Sequence, residues 1–463
     1  MFTSVLQVLN LAELGVGSAM IYSMYEPIAL DDTKKICALM NLYKIYYRVI
    51  GLVIGVVGVA LTPFIPKLIS GDVPSDINIY ILYLLNLSAT VLSYWLFAYK
   101  NCLLTAHQRT DLSSIVNILT STVQYVLQIV ALVIFENYYI YIIAVLITQV
   151  MTNIITAAVA TKKYPDFEAG GKLTISERKE LNQHIKDLFT MKLGGVITNS
   201  ADAIVISAFL GLTVLAKYNN YYYIMSSIFA MMTILYNACL AGIGNSLVVE
   251  SPEKNYSDFE KFTFIFSWVI GFCVVCLYCL YQPFMQLWVH EENMLDDSYV
   301  ILFCIYFYVY ELALIWATYK DAGGIWHSDR FRPLCVTIVN LALNLILVQY
   351  IGLYGVILST VISYLVVGMP WLLHNVFTNL FRTPVIPYLK HLLYYTLVCC
   401  IAAIMCHYVS SLVPLDGIVC FVVQIAVVVI LSNVIFLIAF RKLPEFQESK
   451  QMAYNLLKKV RRR

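Results

Sequence analysis

The chain has 463 residues, 60% of them hydrophobic and only 13% charged, with a mean hydropathy of +0.77. A soluble domain carries roughly 25% charged residues, so this composition excludes one and reads as an integral membrane protein. A net charge of +2 gives no footing for nucleic-acid binding, and the cysteines sit in apolar runs such as CVVCLYC (Cys273, Cys276, Cys279), without the His or carboxylate neighbours of a metal site.

Crossing the hydrocarbon core takes about 20 apolar residues per helix. Segments that meet this requirement run, in chain order, over 2–24, 43–69, 77–104, 112–135, 138–161, 185–209, 214–242, 260–282, 298–319, 333–350, 353–377, 389–411 and 416–440. None shows the alternation over about 10 residues expected of a β-barrel strand. The first run lacks a basic start and a small-residue cleavage site, so no cleavable signal peptide is expected. The fold class is therefore an all-α polytopic membrane protein of about 13 transmembrane helices.

Basic residues orient these segments. With the loop DDTKK in the cytoplasm, every Lys and Arg except Lys67, Lys192 and Lys217 falls in cytoplasmic loops or helix ends, and outer loops such as GDVPSD and HEENMLDD are acidic. This alternation puts the N-terminus outside, and the simplest repair is one further helix before Met1. The long polar connection after Lys162 divides the chain. The reading is an N-terminal bundle over 1–165, a cytoplasmic linker over 166–183, a C-terminal bundle over 184–380, two additional helices over 381–441 and a basic cytoplasmic tail over 442–463. Two pseudo-symmetric six-helix bundles with an appended pair would be a repeat architecture of the kind transporters use. The tail either fixes topology or lies on the membrane as a short amphipathic helix.

An ionic side chain at the bilayer centre costs roughly 2.5 to 3.5 kcal/mol, so it faces protein or a wet cavity. In TMKLGGVITNSADAIVISAFLG, Lys192, Asn199 and Asp202 occupy about 80° of one helix, and Lys192 and Asp202 stand about 15 Å apart along its axis. They are too distant to pair with each other, and form a stripe whose partners lie elsewhere. In NLYKIYYRVIGLVIGVVGVAL, Lys44, Arg48, Gly51, Gly55 and Gly58 share one face, where the glycines let another helix approach. Lys44 fits interfacial snorkelling; Arg48 lies deeper. Glu13 and Glu311 fall mid-segment. Glu13, Arg48, Lys192, Asn199, Asp202 and Glu311 are the candidate cavity residues, and Asp202, Asn340 and Asn344 a possible cation site, although asparagines at i and i+4 also cross-bond helices. The abundant tyrosines read as interfacial belts, with sugar stacking the alternative for YNNYYY. No phosphate-binding loop, metalloprotease helix or nucleophile elbow occurs. No loop is long enough for a nucleotide-binding domain, so no cofactor is expected and any driving force is an ion gradient, H+ or Na+, the membrane potential or the substrate's own gradient.

LAELGVGSAMIYSMYEPIALDD (Leu11 to Asp32), KLGGVITNSADAIVISAFLGLTVLAKYNNY (Lys192 to Tyr221), AGIGNSLVVES (Ala241 to Ser251) and GIWHSDRFRPL (Gly324 to Leu334) resemble the Wzx-type polysaccharide flippases of the MOP exporter superfamily. The resemblance implies fourteen helices, two bundles of six and two more, and alternating access around a central, often cationic cavity. It implies a flippase of undecaprenyl-pyrophosphate-linked oligosaccharides for capsule or exopolysaccharide, in the bacterial cytoplasmic membrane. Its partners would be membrane lipids and a polysaccharide polymerase or other assembly proteins. Arg48 and Lys192 would then attract the diphosphate, and Asp202 or Glu311 would reset the cycle by binding a proton or cation. The rival readings are a drug/cation antiporter of the MATE type and a membrane polysaccharide polymerase; the latter is disfavoured by an outer loop of only about a dozen residues, Gln286 to Asp297.

Overall fold

The computed structural model describes residues 5–6, 9–13, 16–68, 78–107, 109–325, 327–412 and 417–451; within helices, it leaves out some side chains, among them those of 187–188, 190–196 and 198–199. All elements among the described residues are helices, with no strand. The elements are α1 (Val16–Ala29), α2 (Thr33–Leu61), α3 (Ile79–Trp95), α4 (Asn101–Ala106), α5 (Thr110–Val133), α6 (Tyr138–Lys163), α7 (Ile175–Leu210), α8 (Leu212–Val249), α9 (Pro252–Val289), α10 (Asp297–Ala322), α11 (Arg332–Ser363), α12 (Met369–Val376), α13 (Val385–Ser411) and α14 (Gly417–Phe440).

Nine runs among the described residues are long and apolar enough to cross a membrane, and Ile79–Trp95 and Ser200–Leu210 are shorter apolar helices. Each expected segment coincides with helix over most of its described residues. Two of them, 333–350 and 353–377, belong to one apolar run, Arg332–Phe381, which bends at Ile351 and Gly352. Gly352 takes a φ of 56°, a left-handed conformation open to glycine.

Helix starts follow from local chemistry. Asp32 caps α2 by accepting from the Lys35 amide at 3.0 Å, and Asn78 and Asn137 cap α3 and α6 in the same way. Thr174 and Glu177 form a reciprocal capping box at the start of α7, while Ser251 caps α9 with Pro252 in its first turn.

Contacts divide the chain into two units, Met1–Leu212 and Thr213–Arg463. The first unit thus includes all of α7, whereas the sequence reading opens the C-terminal bundle at residue 184. The physical reason is how firmly the polar connection is held. Asn41 donates to the Gly171 carbonyl at 2.8 Å, Gly170 N–H donates to the Cys37 carbonyl at 3.2 Å, and Tyr46 donates to Asn182 at 2.7 Å. His107 also packs on Tyr164, ring centroids 4.3 Å apart.

In the first unit the glycine face of α2 receives α3. A Cβ at Gly58 would lie 2.4 Å from Leu87, and one at Gly51 would lie 2.6 Å from the Trp95 indole nitrogen. Two hydrogen bonds lock the pair: Tyr83 donates to the Gly58 carbonyl at 2.9 Å and Trp95 to the Arg48 carbonyl at 3.1 Å. The second unit centres on aromatic rings, Phe259 against Phe381 and Tyr388, and Trp268 against Phe436 and Phe440. The additional helices α13 and α14 pack on α9, where Gly271 lets Phe436 and Cys399 approach. The basic tail lies outside the described residues from position 452 onward.

Candidate functional site

Glu13 ends a single 3-10 turn (Asn10–Glu13) and is half-buried. Its carboxylate accepts from the hydroxyls of Tyr47 and, at 2.6 Å, Tyr94, while Tyr43 donates to Tyr47 at 2.7 Å. Tyr43 and Tyr47 stand one turn apart on α2, and Tyr94 comes from α3. Gly17 leaves the room this cage needs, since a Cβ there would lie 3.0 Å from the Tyr43 oxygen. Phenol donors let a carboxylate remain in an apolar bundle without a cation.

Beyond the cage, Tyr43 and Tyr47 form one wall of a cavity of about 200 Å³; the rest is lined mainly from α4, α5 and α6, including Asn101, Asn117, Thr152 and Thr156, with Ile21 of α1 and Phe97 beside them. A polar ladder continues along α5 and α6, where Thr152 donates to Thr120 at 2.8 Å and Thr148 to Gln124 at 3.1 Å. A second cavity of about 430 Å³, more ionic, lies where α1 and α2 meet the start of α7. Tyr22, Tyr25, Glu26, Lys35, Glu177 and His184 are among its lining, with Lys35 3.6 Å from both Glu26 and Glu177. The Thr174 hydroxyl, bonded to the Glu177 carboxyl, holds that group below its usual range.

In the second unit Glu311 is fully buried in α10. Tyr236 donates to its carbonyl at 3.2 Å, and neither carboxylate oxygen meets a donor at bonding geometry among the described residues. Asn340 and Asn344 are also fully buried. Asn340 donates to Thr360 at 3.0 Å, across the bend at Gly352, and Asn344 donates to Asn340 at 3.3 Å. Asn340 thus ties the two arms of α11 together, while the bond between Asn344 and Asn340 lies within the first arm. They belong to the second unit and Asp202 to the first.

The same unit holds an ionic cluster that in the sequence is only a basic loop. Asp329, 3% exposed, takes both guanidinium contacts of Arg332 at 2.8 and 3.0 Å, the Asn375 amide at 3.1 Å and the Lys320 ammonium at 3.2 Å. Lys320, 5% exposed, also reaches Asp321 at 2.6 Å. These contacts fasten the end of α10, the loop, the start of α11 and α12 to one another. A charge balance of this kind, two cations and two carboxylates, satisfies the buried ions locally.

Of the remaining candidates, Asp202 is buried and has an interaction partner. Arg48 is exposed, with Tyr99 in its electrostatic reach, while Lys44 lies over the Tyr99 ring at 5.8 Å. The side chains of Lys192 and Asn199 lie outside the described residues. Tyr218 and Tyr221, from the run considered for sugar stacking, are core residues: Tyr221 donates to Gln282 at 2.6 Å and stacks on Phe303. The residues missed from sequence are Tyr43, Tyr47 and Tyr94 around Glu13 and the threonines at 148, 152 and 156. For Tyr43 with Tyr47 and for the threonines, spacing of four was the available signal.

Residues 28–229 match the family model described as polysaccharide biosynthesis protein. Across 96% of this chain and 97% of the other, the structure is similar to "Lipid II flippase MurJ, inward closed conformation", with a TM-score of 0.62 at 15% identity. It is also similar to an inward-facing multidrug resistance MATE family transporter of the MOP superfamily, with a TM-score of 0.61, 14% identity and coverage of 80% of this chain and 87% of that one. The chain shares the fold of these two solved transporters. The Vibrio cholerae MATE transporter VcmN, in its bent form, compares at a TM-score of 0.53 and 14% identity over 82% of this chain and 87% of its own. No curated protein matches the sequence. The resemblance read from sequence motifs therefore agrees with the family match and with the MOP fold.

Proposed function

We propose that the chain flips a polyprenyl-diphosphate-linked oligosaccharide from the inner to the outer leaflet of the bacterial cytoplasmic membrane, supplying capsule or exopolysaccharide assembly by alternating access. It acts as a transporter and not as an enzyme. What carries this reading is one coincidence: the same chain matches a polysaccharide biosynthesis model over 28–229 and follows the MurJ fold over 96% of its length. Buried polar groups in both units are consistent with it, since an ion held in lipid-spanning helices needs a reason.

In this mechanism Arg48 and Lys192 attract the diphosphate while the polyprenyl tail stays in lipid. Glu311, whose buried carboxylate has no donor at bonding geometry among the described residues, or Asp202 binds H+ or Na+ to reset the cycle. A polysaccharide polymerase and other assembly proteins would receive the product. The second reading is a MATE-type antiporter of organic cations, favoured by the TM-score of 0.61 to such a transporter. Complementation of a flippase-null strain distinguishes them. The chain is expected to restore surface polysaccharide, and Arg48→Ala and Lys192→Ala to abolish it at normal membrane insertion. Drug resistance without polysaccharide would support the antiporter, and full activity of both variants would remove these residues from the mechanism.

A further inference from the structure

The cavity of about 200 Å³ in the first unit has a lining without an ionic side chain among the described residues. Within it, three polar side chains are left over. Thr156 is only 7% exposed, and its hydroxyl has no hydrogen-bond partner among the described residues. Threonines inside helices usually satisfy themselves by bonding back to the carbonyl four residues earlier, and three other threonines of α6 do so: Thr148 to Ala144, Thr152 to Thr148 and Thr161 to Ala157. Thr156 instead faces the cavity unpaired. The amides of Asn101 and Asn117 line the same space and are also without a partner among the described residues. Tyr47 and Phe97 supply aromatic surface beside them.

The chemistry of this lining narrows its ligand. A diphosphate or an organic cation would find no counter-charge there. A purely apolar group would strand the buried Thr156 hydroxyl, at the cost of an unmade hydrogen bond. The volume is below the roughly 300–1,000 Å³ of drug-sized sites, so it holds one ring and not an extended chain. Two amides and a hydroxyl both donate and accept, as do the hydroxyl and acylamino substituents of a sugar, whose C–H face suits an aromatic ring.

We propose that this cavity is a sugar-reading pocket, which receives one neutral pyranose of the transported oligosaccharide and selects it through Thr156, Asn117 and Asn101. The proposal rests on the transport reading above and deepens it: charge recognition of the diphosphate is separated from sugar recognition, which occurs inside the first unit. Substrate selectivity then resides in α4, α5 and α6.

The test uses the full chain, purified in detergent micelles, with methyl glycosides of neutral hexoses and N-acetylhexosamines as probes, since these carry neither phosphate nor lipid. Binding is read by saturation-transfer NMR. At least one glycoside is expected to bind. Thr156→Val and Asn117→Leu are each expected to weaken it about five- to tenfold, the loss of one neutral hydrogen bond, and Thr156→Ser, which keeps the hydroxyl, to restore it. Failure of every glycoside to bind would mean a merely hydrated cavity and would overturn the proposal, as would binding indifferent to Thr156→Val. Transport measured in parallel separates the two ideas. Lipid-linked oligosaccharide flipped without glycoside binding removes the pocket alone; variant-sensitive binding without flipping removes the transport reading alone.

Discussion

Glu13 and Asp329 solve the same problem by opposite means. Glu13 is held by neutral phenols, Tyr47 and Tyr94, and Asp329 by two cations and an amide. Removing one phenol leaves a half-buried carboxylate short of a donor, so Tyr94→Phe is expected to lower stability by about 1–3 kcal/mol, seen as a lower melting temperature in detergent. An unchanged melting temperature would show that the cage is not structural. At Asp329 the penalty is larger, because Arg332 would lose its carboxylate partner and Lys320 would keep only Asp321. Asp329→Ala is expected to cost about 3–5 kcal/mol, and the double variant Lys320→Met with Asp329→Ala to regain part of it. If the double variant is less stable than Asp329→Ala, the cluster is not the local charge balance described. Neither set of partners was legible in the sequence. The tyrosines of KIYYR read as an interfacial belt because their role depends on Tyr94, contributed by another helix, and DRFR reads as a topology signal because only the folded loop turns Asp329 toward Lys320. Burial of Glu311 and Asp202 was legible, since an ionic group amid apolar residues already implies an inward-facing side chain.

At the scale of helices, the stripe Gly51, Gly55 and Gly58 reads as a close-approach face, and α3 seats on it. The steric argument fixes the expected response. Gly58→Ala places a methyl group inside the Leu87 side chain, 2.4 Å away, and is expected to cost about 1–3 kcal/mol through overpacking, whereas Gly55→Ala, with its nearest neighbour Val91 at 3.5 Å, is expected to be close to neutral. Thermal unfolding of the two variants side by side checks this; equal losses would contradict the contact geometry. The connection after Lys162 shows where sequence periodicity stops being informative. Its polarity marks it as outside the membrane but is silent on whether it hangs free. The capping box Thr174-Ile-Ser-Glu177, legible in retrospect, starts α7 well before its apolar stretch, and hydrogen bonds from Asn41 and Tyr46 hold the segment to α2. The break between the segments 333–350 and 353–377 coincides with the bend at Ile351 and Gly352, whereas the π-helical turns Tyr364–Gly368 and Phe377–Phe381 had no signature, because they interrupt an apolar run without a change of composition.

For the molecule as a whole, hydropathy established the class and motif resemblance pointed to the superfamily, while the unit boundary came only from contacts. Each unit keeps its own buried polar system: a phenol cage and neutral cavity in the first, a carboxylate and a four-ion cluster in the second. The proposed transport of a molecule with ionic, sugar and lipid portions calls for several chemistries in one chain. The most direct measurement is leaflet translocation by the purified chain in liposomes: a fluorescent polyprenyl-diphosphate oligosaccharide loaded in one leaflet and assayed by accessibility from the other. Movement dependent on the protein, and lost in Arg48→Ala and Lys192→Ala, is the predicted result. Liposomes that export an organic cation while the lipid-linked sugar stays in its original leaflet would contradict it.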